Sequence, residues 1–589
     1  MIAILTDKPN VGKEIARILG AQTRENGYMT GNGYMVTWTF GNMLSLAMPK
    51  DYGIERPERE AFPLNPAPFK LMVKHVKTDT GWVPDINAVL QLKVIEKVFA
   101  TCDTIIAATD ASREGEMVFR YLYRYLECRK PYRRLWISSL TDEAVLEGMG
   151  SLRPGSLYDR MFLAADSRNK ADWILGINAS YAMCKATGLG NNSLGRVQTP
   201  VLAAISRRYR ERENHISSDS WPIYISLQKD GILFKMRRTQ DLPDKESATM
   251  FFQDCKLAHQ AQITGINYSV KEILPPDLLD LTQLQKEANI RYGYTASEVY
   301  DIAQSLYEKK LISYPRTSSR YLTEDVFDSL SPIMARLLSW ELFPAAKGTG
   351  GIDISSLSRH VISAEKANVH HAIIITGIRP GNLSEKEMQV YRLVAGRMLE
   401  TFMAPCRIET TNVEAVCAAQ HFKAEQTRII EAGWHDVFMR YDMIPTSGYS
   451  VKELPEVEKG DNLNVCGCNM VHKKQLPVNP FTDAELVEYM ELNGLGTVSS
   501  RTNIIRTLVN RKYIRYSGKY IVPTPKGMFT YETIRGKKIA DTSLTADWEK
   551  QLAGLESGMI TGQDFLNRIR TLAKEMTDDI FNTYSTKEE

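Results

Sequence analysis

Leu311-Ile312-Ser313-Tyr314-Pro315-Arg316-Thr317-Ser318-Ser319-Arg320 places a tyrosine and an arginine two residues apart just beyond a helix end. The helix before it is legible from its own signals. Thr295-Ala296-Ser297-Glu298 is a capping box, and Val299, Ile302, Ala303, Leu306 and Tyr307 follow the i, i+3, i+4, i+7 spacing of a buried stripe. That helix should stop near Lys309-Lys310. Pro315 pushes Tyr314 out of the α region, so its phenol sits on an irregular turn beyond a rigid helix, where a reacting polymer can reach it. Arg316 shares the turn and can fork onto a phosphate. Tyr314 is therefore the candidate nucleophile. A Tyr-Pro-Arg tripeptide alone is most often a buried tyrosine on a turn, so the rest of the chain has to decide.

At the N-terminus, residues 2–6 form a short apolar run, Asp7-Lys8-Pro9-Asn10 interrupts it, and Val11, Ile15, Ile18 and Leu19 resume at helical spacing. This predicts strand, loop, helix. A second buried strand over 104–109 delivers Asp110 at its C-terminal end, where ligands collect in open α/β sheets. Glu114 follows four residues later with Arg113 beside it. Carboxylates converging beyond strand ends suit Mg²⁺, which prefers hard oxygen ligands; by spacing alone such acids are usually just solvated. Val11-Gly12-Lys13 lacks the earlier glycine of a phosphate-binding loop, and Glu14 stands where Ser or Thr would hold Mg²⁺. Gly348-Thr349-Gly350-Gly351 lacks the Gly-Lys pair and reads as a surface loop. No ATP site is expected.

Arg168, Lys170 and Asp172-Trp173 fall on a predicted helix running through Ile174 and Ile177, and Gly195-Arg196-Val197-Gln198 follows a Gly/Asn-rich turn at 188–192. Arginine and glutamine beside an exposed aromatic are what a single-strand groove needs: charge for phosphates, amides for sugars and base edges, a ring for stacking. Toward the C-terminus, the capping box Thr482-Asp483-Ala484-Glu485, the Gly494-Leu495-Gly496-Thr497 turn, a helix through Ile504, Ile505 and Leu508, and a hairpin tipped by Ser517-Gly518 give the order helix, turn, helix, wing.

A chain of 589 residues exceeds a single core and should form several domains. Its net charge of +3, from 73 basic and 70 acidic residues, is too small to announce a nucleic-acid partner, so any positive surface must be local. Of eight cysteines only Cys466 and Cys468 are close, short of a four-ligand zinc ribbon, and they read as reduced, mostly packing residues. No signal peptide and no 18-residue apolar run is present, which predicts a cytoplasmic protein without membrane association.

Taken in order, several blocks resemble the type IA DNA topoisomerases, specifically the bacterial topoisomerase III branch. They are Asp110 to Glu116, Leu135 to Asp142, Ala171-Asp172-Trp173 with Gly176 and Asn178, Gly195 to Pro200, Leu281 to Asn289, Ile302 to Glu308, Tyr314 to Thr317, His370 to Ile373, and Gly494 to Thr497. The resemblance implies a multidomain α/β plus α plus β fold: a four-domain ring with a Toprim domain at 1–150 and a β-rich arch at 216–280 and 411–475. It also implies a helical groove domain, winged-helix-like in its second part, from 151–215 and 476–589, and a helical tyrosine domain at 281–410. It implies ATP-independent cleavage of one DNA strand through a 5′-phosphotyrosine on Tyr314, strand passage and religation. Lys8 and Arg316 would stabilise the transition state and Asp7 would act as general acid. Mg²⁺ would sit on Asp7, Asp110 and Glu114, and Arg168, Asp172, Ser193, Gly195, Arg196, Gln198 and His370 would contact DNA. The implied partners are single-stranded or negatively supercoiled DNA and a RecQ-type helicase or single-strand-binding protein, acting on a monomer.

The chain departs from the family pattern at five positions: Asp7 for glutamate, Ser112 and Ser318 for aspartate, Val369 for aspartate and Ile375 for proline. Those departures motivate one alternative, a catalytically lapsed single-strand clamp serving a mobile element.

Overall fold

Ile2–Thr6 and Thr104–Ala107 lie side by side and parallel, with Leu5 opposite Ala107, and form the middle of a seven-stranded sheet. In this computed structural model, residues 80, 138, 139, 141, 189–191, 341, 345–351, 353, 355, 356, 368, 369, 440–446 and 586–589, and the side chains of 499, 584 and 585, are not described. The Gly348–Gly351 stretch, Val369 and most of the 188–192 turn therefore lie outside the described residues. The central strands are apolar on both faces, with Ala3, Ile4 and Leu5 fully buried, as parallel strands covered by helices must be. Tyr34–Trp38 flanks Ile2–Thr6 on one side and continues antiparallel into Tyr28–Gly31 and Thr23–Glu25. On the other side Tyr132–Arg134 pairs parallel with Thr104–Ala107, and Arg153–Pro154 closes that edge. The sheet thus reaches past residue 150, where the sequence reading ended the first domain.

The 29-residue helix Asp159–Thr187, stopped by Gly188 at φ 65°, packs against Ser543–Ser557 and Gly562–Ser585 from the far end of the chain. Trp173, Ile174, Ala179, Trp548, Phe565, Ile569 and Ile580 form their shared core. Ile223–Lys229, Ile232–Arg238, Gln420–Glu431, Cys406–Cys417, Gln260–Ile273 and Asn462–Met470 close in that order into a six-stranded barrel. Closure removes the unpaired edges that long exposed strands would carry. The barrel's later strands begin at Cys406, five residues before the expected 411: Pro405 ends the chain's helical run, and the buried Cys406 and Ile408 alternate as strand residues do.

Between the barrel strands lies a helical unit built on Leu281–Tyr292, Ala296–Glu308, Leu330–Ser339 and Glu385–Phe402. Thr295 and Glu298 form the expected capping box, and the helix ends with Lys309 as cap and Lys310 at φ 60°. This unit meets Asp483–Leu492 and Val498–Asn510 through Ala296, which joins the core of those helices, and through polar contacts: Gln285 to Thr502 at 2.9 Å, Arg501 to Thr282 at 2.9 Å, Arg506 to Asp301 at 2.8 Å. No described helix is long and apolar enough to cross a membrane.

Trp548 is fully buried where the two ends of the chain meet. Trp548→Ala should cost about 3–5 kcal/mol, read as a lower urea midpoint of unfolding.

Candidate active site

The turn after Ile2–Thr6 carries Asp7 and Lys8 directly into the helix Pro9–Ile18, whose first position is proline, preset for a helix start. No side chain caps this helix, so its first-turn N–H groups are left for a ligand, and Asn10 and Val11 line the cavity in front of it. Gly12 allows the close approach: a Cβ there would meet the Trp38 ring at 2.8 Å and Thr6 Oγ1 at 3.0 Å. On the neighbouring strand Asp110 is held from behind. Arg134, fully buried, donates to the Asp110 carbonyl at 2.6 Å and the Ala107 carbonyl at 2.7 Å, and Nε pairs with the buried Glu116 at 3.1 Å. Ser112, where the sequence suggested a lost metal ligand, accepts from Gly115 N–H at 3.1 Å and caps the helix Arg113–Tyr125.

Lys8 Nζ stands 2.7 Å from Asp110 Oδ2, 3.1 Å from Asp7 Oδ2 and 4.7 Å from the centre of the Tyr314 ring. Burial works against the ammonium, but Asp7, Asp110 and Tyr314 outweigh it and hold Lys8 charged. Burial pushes the Asp7 carboxyl up, with Lys8 opposing and Asp110 adding to the rise. Asp110 is half-buried, and although desolvation raises it, the charge and hydrogen bond of Lys8 bring it below the usual carboxylate range. The same cluster thus pushes the two carboxyls in opposite directions, Asp7 up and Asp110 down.

Tyr314 reaches this cluster from the helical unit. Ser313 N–H donates to the Ile374 carbonyl at 2.8 Å, Ser313 Oγ to the Ala372 carbonyl at 3.1 Å, and Thr317 Oγ1 to the His370 carbonyl at 2.7 Å. Ile375, where the family has proline, is fully buried and bridges Ile312. The Tyr314 ring lies 4.4 Å from the His370 ring and 5.4 Å, edge-on, from Tyr307. Burial raises its phenol pKa, and the Lys8 charge pulls it back. His370 is pushed down to about 4 by burial, against Asp110 and together with Lys8 and His371, so it is neutral at pH 7. Lys8, Asp110, Tyr314 and His370 line one cavity of about 570 Å³ between the sheet and the helical unit. The phenol is therefore enclosed rather than offered on an open turn. Arg316 does not line the cavity: Nη2 donates to Gln304 Oε1 at 3.1 Å, the guanidinium lies 5.0 Å over Tyr300, and buried Nε has no partner.

Residues 156–567 match the family described as DNA topoisomerase, and residues 2–140 match the Toprim domain. The chain belongs to the DNA topoisomerase family. Among curated relatives, DNA topoisomerase 3 of Bacillus licheniformis is 32% identical over 604 residues, covering 98% of this chain and 81% of that protein. DNA topoisomerase 3 of Bacillus subtilis is 32% identical over 620 residues, covering 99% and 82%. Full-length topoisomerase I from Thermotoga maritima shares the fold, with a TM-score of 0.71 at 22% identity over 98% of this chain and 90% of that one.

Toprim domains are a Mg²⁺-binding fold, and the acids here fit that ion in part. Asp7 and Asp110 supply hard oxygens, and Asp7 Oδ1 is buried without a hydrogen-bond partner. Glu114 does not join them: it is 55% exposed and its carboxylate pairs with Arg168 at 3.0 Å. Among the described residues no three acidic, histidine or cysteine side chains converge as a metal cluster. The expected three-carboxylate set needs Glu114 to leave Arg168.

The expected DNA-contacting residues of this topoisomerase divide. Arg168 faces Glu114 and, at 4.0 Å, Asp172. Arg196 is not a groove cation: it is buried, bonded to Asp172 at 2.8 Å and set 4.7 Å over the Trp548 ring. Nor is Trp173 an exposed stacking ring, for it is buried in the helical core with Nε1 donating to the Ala47 carbonyl at 2.9 Å. Its i+4 neighbour Ile177 already placed it on the inward stripe. Ser193 and Gln198 do meet, Nε2 to Oγ at 3.0 Å, and Gly195 N–H donates to Thr199 Oγ1 at 2.9 Å. Arg511, at the end of Val498–Asn510, donates to Gln198 Oε1 at 3.0 Å and to Ser193 Oγ. The sequence reading missed Arg511 and Arg134, which carry no local signal.

His370 gives a pH prediction. Its folded pKa lies below its unfolded value of 6.5, so the unfolded chain binds more protons between pH 6.5 and about 4, and the stability it contributes is lost as pH falls through that window. The thermal midpoint of His370→Gln should fall less over that interval than that of the wild type.

Proposed function

We propose that this chain is an ATP-independent type IA topoisomerase that cuts one DNA strand with Tyr314, passes a second strand and reseals the first. The observation that supports it most is the stacking of the Tyr314 ring under Lys8, itself clasped by the two Toprim acids. Tyr314 Oη attacks a backbone phosphorus and passes its proton to water as the bond forms. The bond to the 3′ oxygen breaks, and Asp7, whose carboxyl burial pushes up, gives that oxygen a proton. The product is a 5′-phosphotyrosine and a free 3′-hydroxyl, and the ester conserves the bond energy for resealing. Lys8, with the uncapped start of Pro9–Ile18, holds the negative charge of the transition state. Mg²⁺, held by Asp7 and Asp110 when bound, would add positive charge for keeping the 3′ end in place. Arg316 must swing from Gln304 to reach the phosphate, and its unpartnered Nε lowers the cost of that move.

Strand passage requires the helical unit to lift off. The contacts it must break, Gln285–Thr502, Arg501–Thr282 and Arg506–Asp301, are hydrogen bonds and ion pairs that water can replace. The lapsed-clamp reading is not favoured, since the family match spans nearly the whole chain and Tyr314, Lys8 and Asp110 remain assembled.

Incubated with negatively supercoiled plasmid and Mg²⁺ but no ATP, the wild type should give a ladder of relaxed topoisomers, and Tyr314→Phe or EDTA should abolish it. Relaxation by Tyr314→Phe, or none by the wild type, would overturn the assignment. Lys8→Ala should lower the cleavage rate by about 10²-fold or more, measured in single-turnover cleavage of an oligonucleotide. If Asp7 is the acid, cleavage by the wild type should decline as pH rises through its raised pKa, and Asp7→Asn should be slow and flat across that range.

A further inference from the structure

The C-terminal edge of the Toprim sheet continues beyond the catalytic turn. Tyr34–Trp38 is the next strand after Ile2–Thr6, and because Tyr28–Gly31 runs antiparallel to it, with Tyr28 opposite Thr37, the turn at 25–28 returns to the same edge. Between that turn and the catalytic loop lies a second, open pocket lined by Pro9, Lys13, Arg24, Glu25, Asn26 and Phe40. It is continuous with the catalytic site in two ways. Lys13 lines both cavities. The Phe40 loop is tied to the catalytic turn by Gly41 N–H, which donates to the Asp7 carbonyl at 3.0 Å.

The composition of this pocket is unusual for a surface. Phe40 is 50% exposed while the neighbouring Trp38 is buried. Neither Lys13 nor Arg24 is held in an ion pair or side-chain hydrogen bond among the described residues, whereas Arg17, one turn on from Lys13, is tied to Glu14 and Asp142. A half-solvated ring flanked by two unengaged cations is the chemistry of a single-strand stacking platform: the ring takes any base face, and the cations take the phosphates on either side. Glu25 can accept from an exocyclic base amine. Neighbouring strands lie about 5 Å apart, so the pocket begins roughly 5–15 Å along the edge from Asp7, within a few nucleotides of the phosphate that Tyr314 would attack.

We propose that Phe40, Lys13 and Arg24 form a nucleotide subsite for the single-stranded DNA next to the cleavage point, with a base stacked on Phe40 and its flanking phosphates on Lys13 and Arg24. The proposal rests on the strand-cleaving reading above. It adds a length requirement: the strand must extend far enough along the sheet edge to fill this pocket.

The test uses the full-length Tyr314→Phe protein, which holds DNA without cutting it, as parent, with Phe40→Ala, Phe40→Trp or the Lys13→Ala/Arg24→Ala pair added. Fluorescence anisotropy would follow binding of oligonucleotides lengthened one nucleotide at a time on each side of a cleavage site mapped with the wild type. The parent should gain affinity at the step that fills the pocket. Phe40→Ala should bind those longer strands between about fivefold and a hundredfold more weakly and shorter strands equally well, and Phe40→Trp should restore the gain. The Lys13→Ala/Arg24→Ala pair should shallow the salt dependence, by about 0.7 in slope for each phosphate no longer neutralised. If every variant binds every length as the parent does while the wild type still cleaves, the subsite is wrong and the strand-cleaving reading stands. If the parent binds no single strand and the wild type cleaves none, the reading itself fails and takes the subsite with it.

Discussion

One ammonium group organises this molecule. Lys8 sits where two parallel strands end, between Asp7 and Asp110, and its charge also faces the ring of a tyrosine delivered by a different folding unit more than 300 residues along the chain. Two buried carboxylates this close would repel, so one must either stay protonated or find a cation. Lys8 pairs with both, bringing Asp110 down while burial pushes Asp7 up. The same charge lowers the cost of placing a phenol, and later a phosphate, in a partly buried cavity. Removing Lys8 would therefore disturb both acids and the Tyr314 ring together.

The rigidity behind that cluster comes from side chains that donate to backbone carbonyls. Arg134 directs its guanidinium at the carbonyls of Ala107 and Asp110 and at Glu116, so the Asp110 turn is pinned to the strand beside it. On the opposite wall Ser313 and Thr317 stitch the tyrosine turn to the 370–374 segment. The moving parts have been given the opposite chemistry. The helical unit meets residues 483–510 through hydrogen bonds and ion pairs, while the closed barrel at its other end keeps its own paired edges.

Local signals carried a good deal of this. The capping box at Thr295 and Glu298, the Pro315 turn and the apolar run into Asp7-Lys8 are each written within a few residues, and the structure has them where the sequence put them. Side-chain destinations were another matter. Arg196 and Trp173 have the residue types of a DNA groove and are both buried, because residues 543–585 cover the helix that carries Trp173 and supply Trp548 as the ring under Arg196. Arg511 reaches Gln198 across 313 residues, and Glu114 turns to Arg168 instead of the other acids; neither pairing follows from spacing. Ser112 read as a missing ligand and is a helix cap, a role its small hydroxyl performs as well as an aspartate would. What stayed hidden was pairing across the tertiary fold, which no periodicity encodes.

The central claim is that Tyr314 becomes covalently joined to the 5′ side of a broken strand. The most direct measurement is denaturing electrophoresis after rapid quenching of the protein with a single-stranded oligonucleotide labelled at one end or the other. The account predicts that a 3′-end label migrates with the protein, that a 5′-end label leaves as a shorter strand ending in a hydroxyl, and that Tyr314→Phe yields neither. A 5′-end label fixed to the protein, or an adduct that persists in Tyr314→Phe, would contradict it.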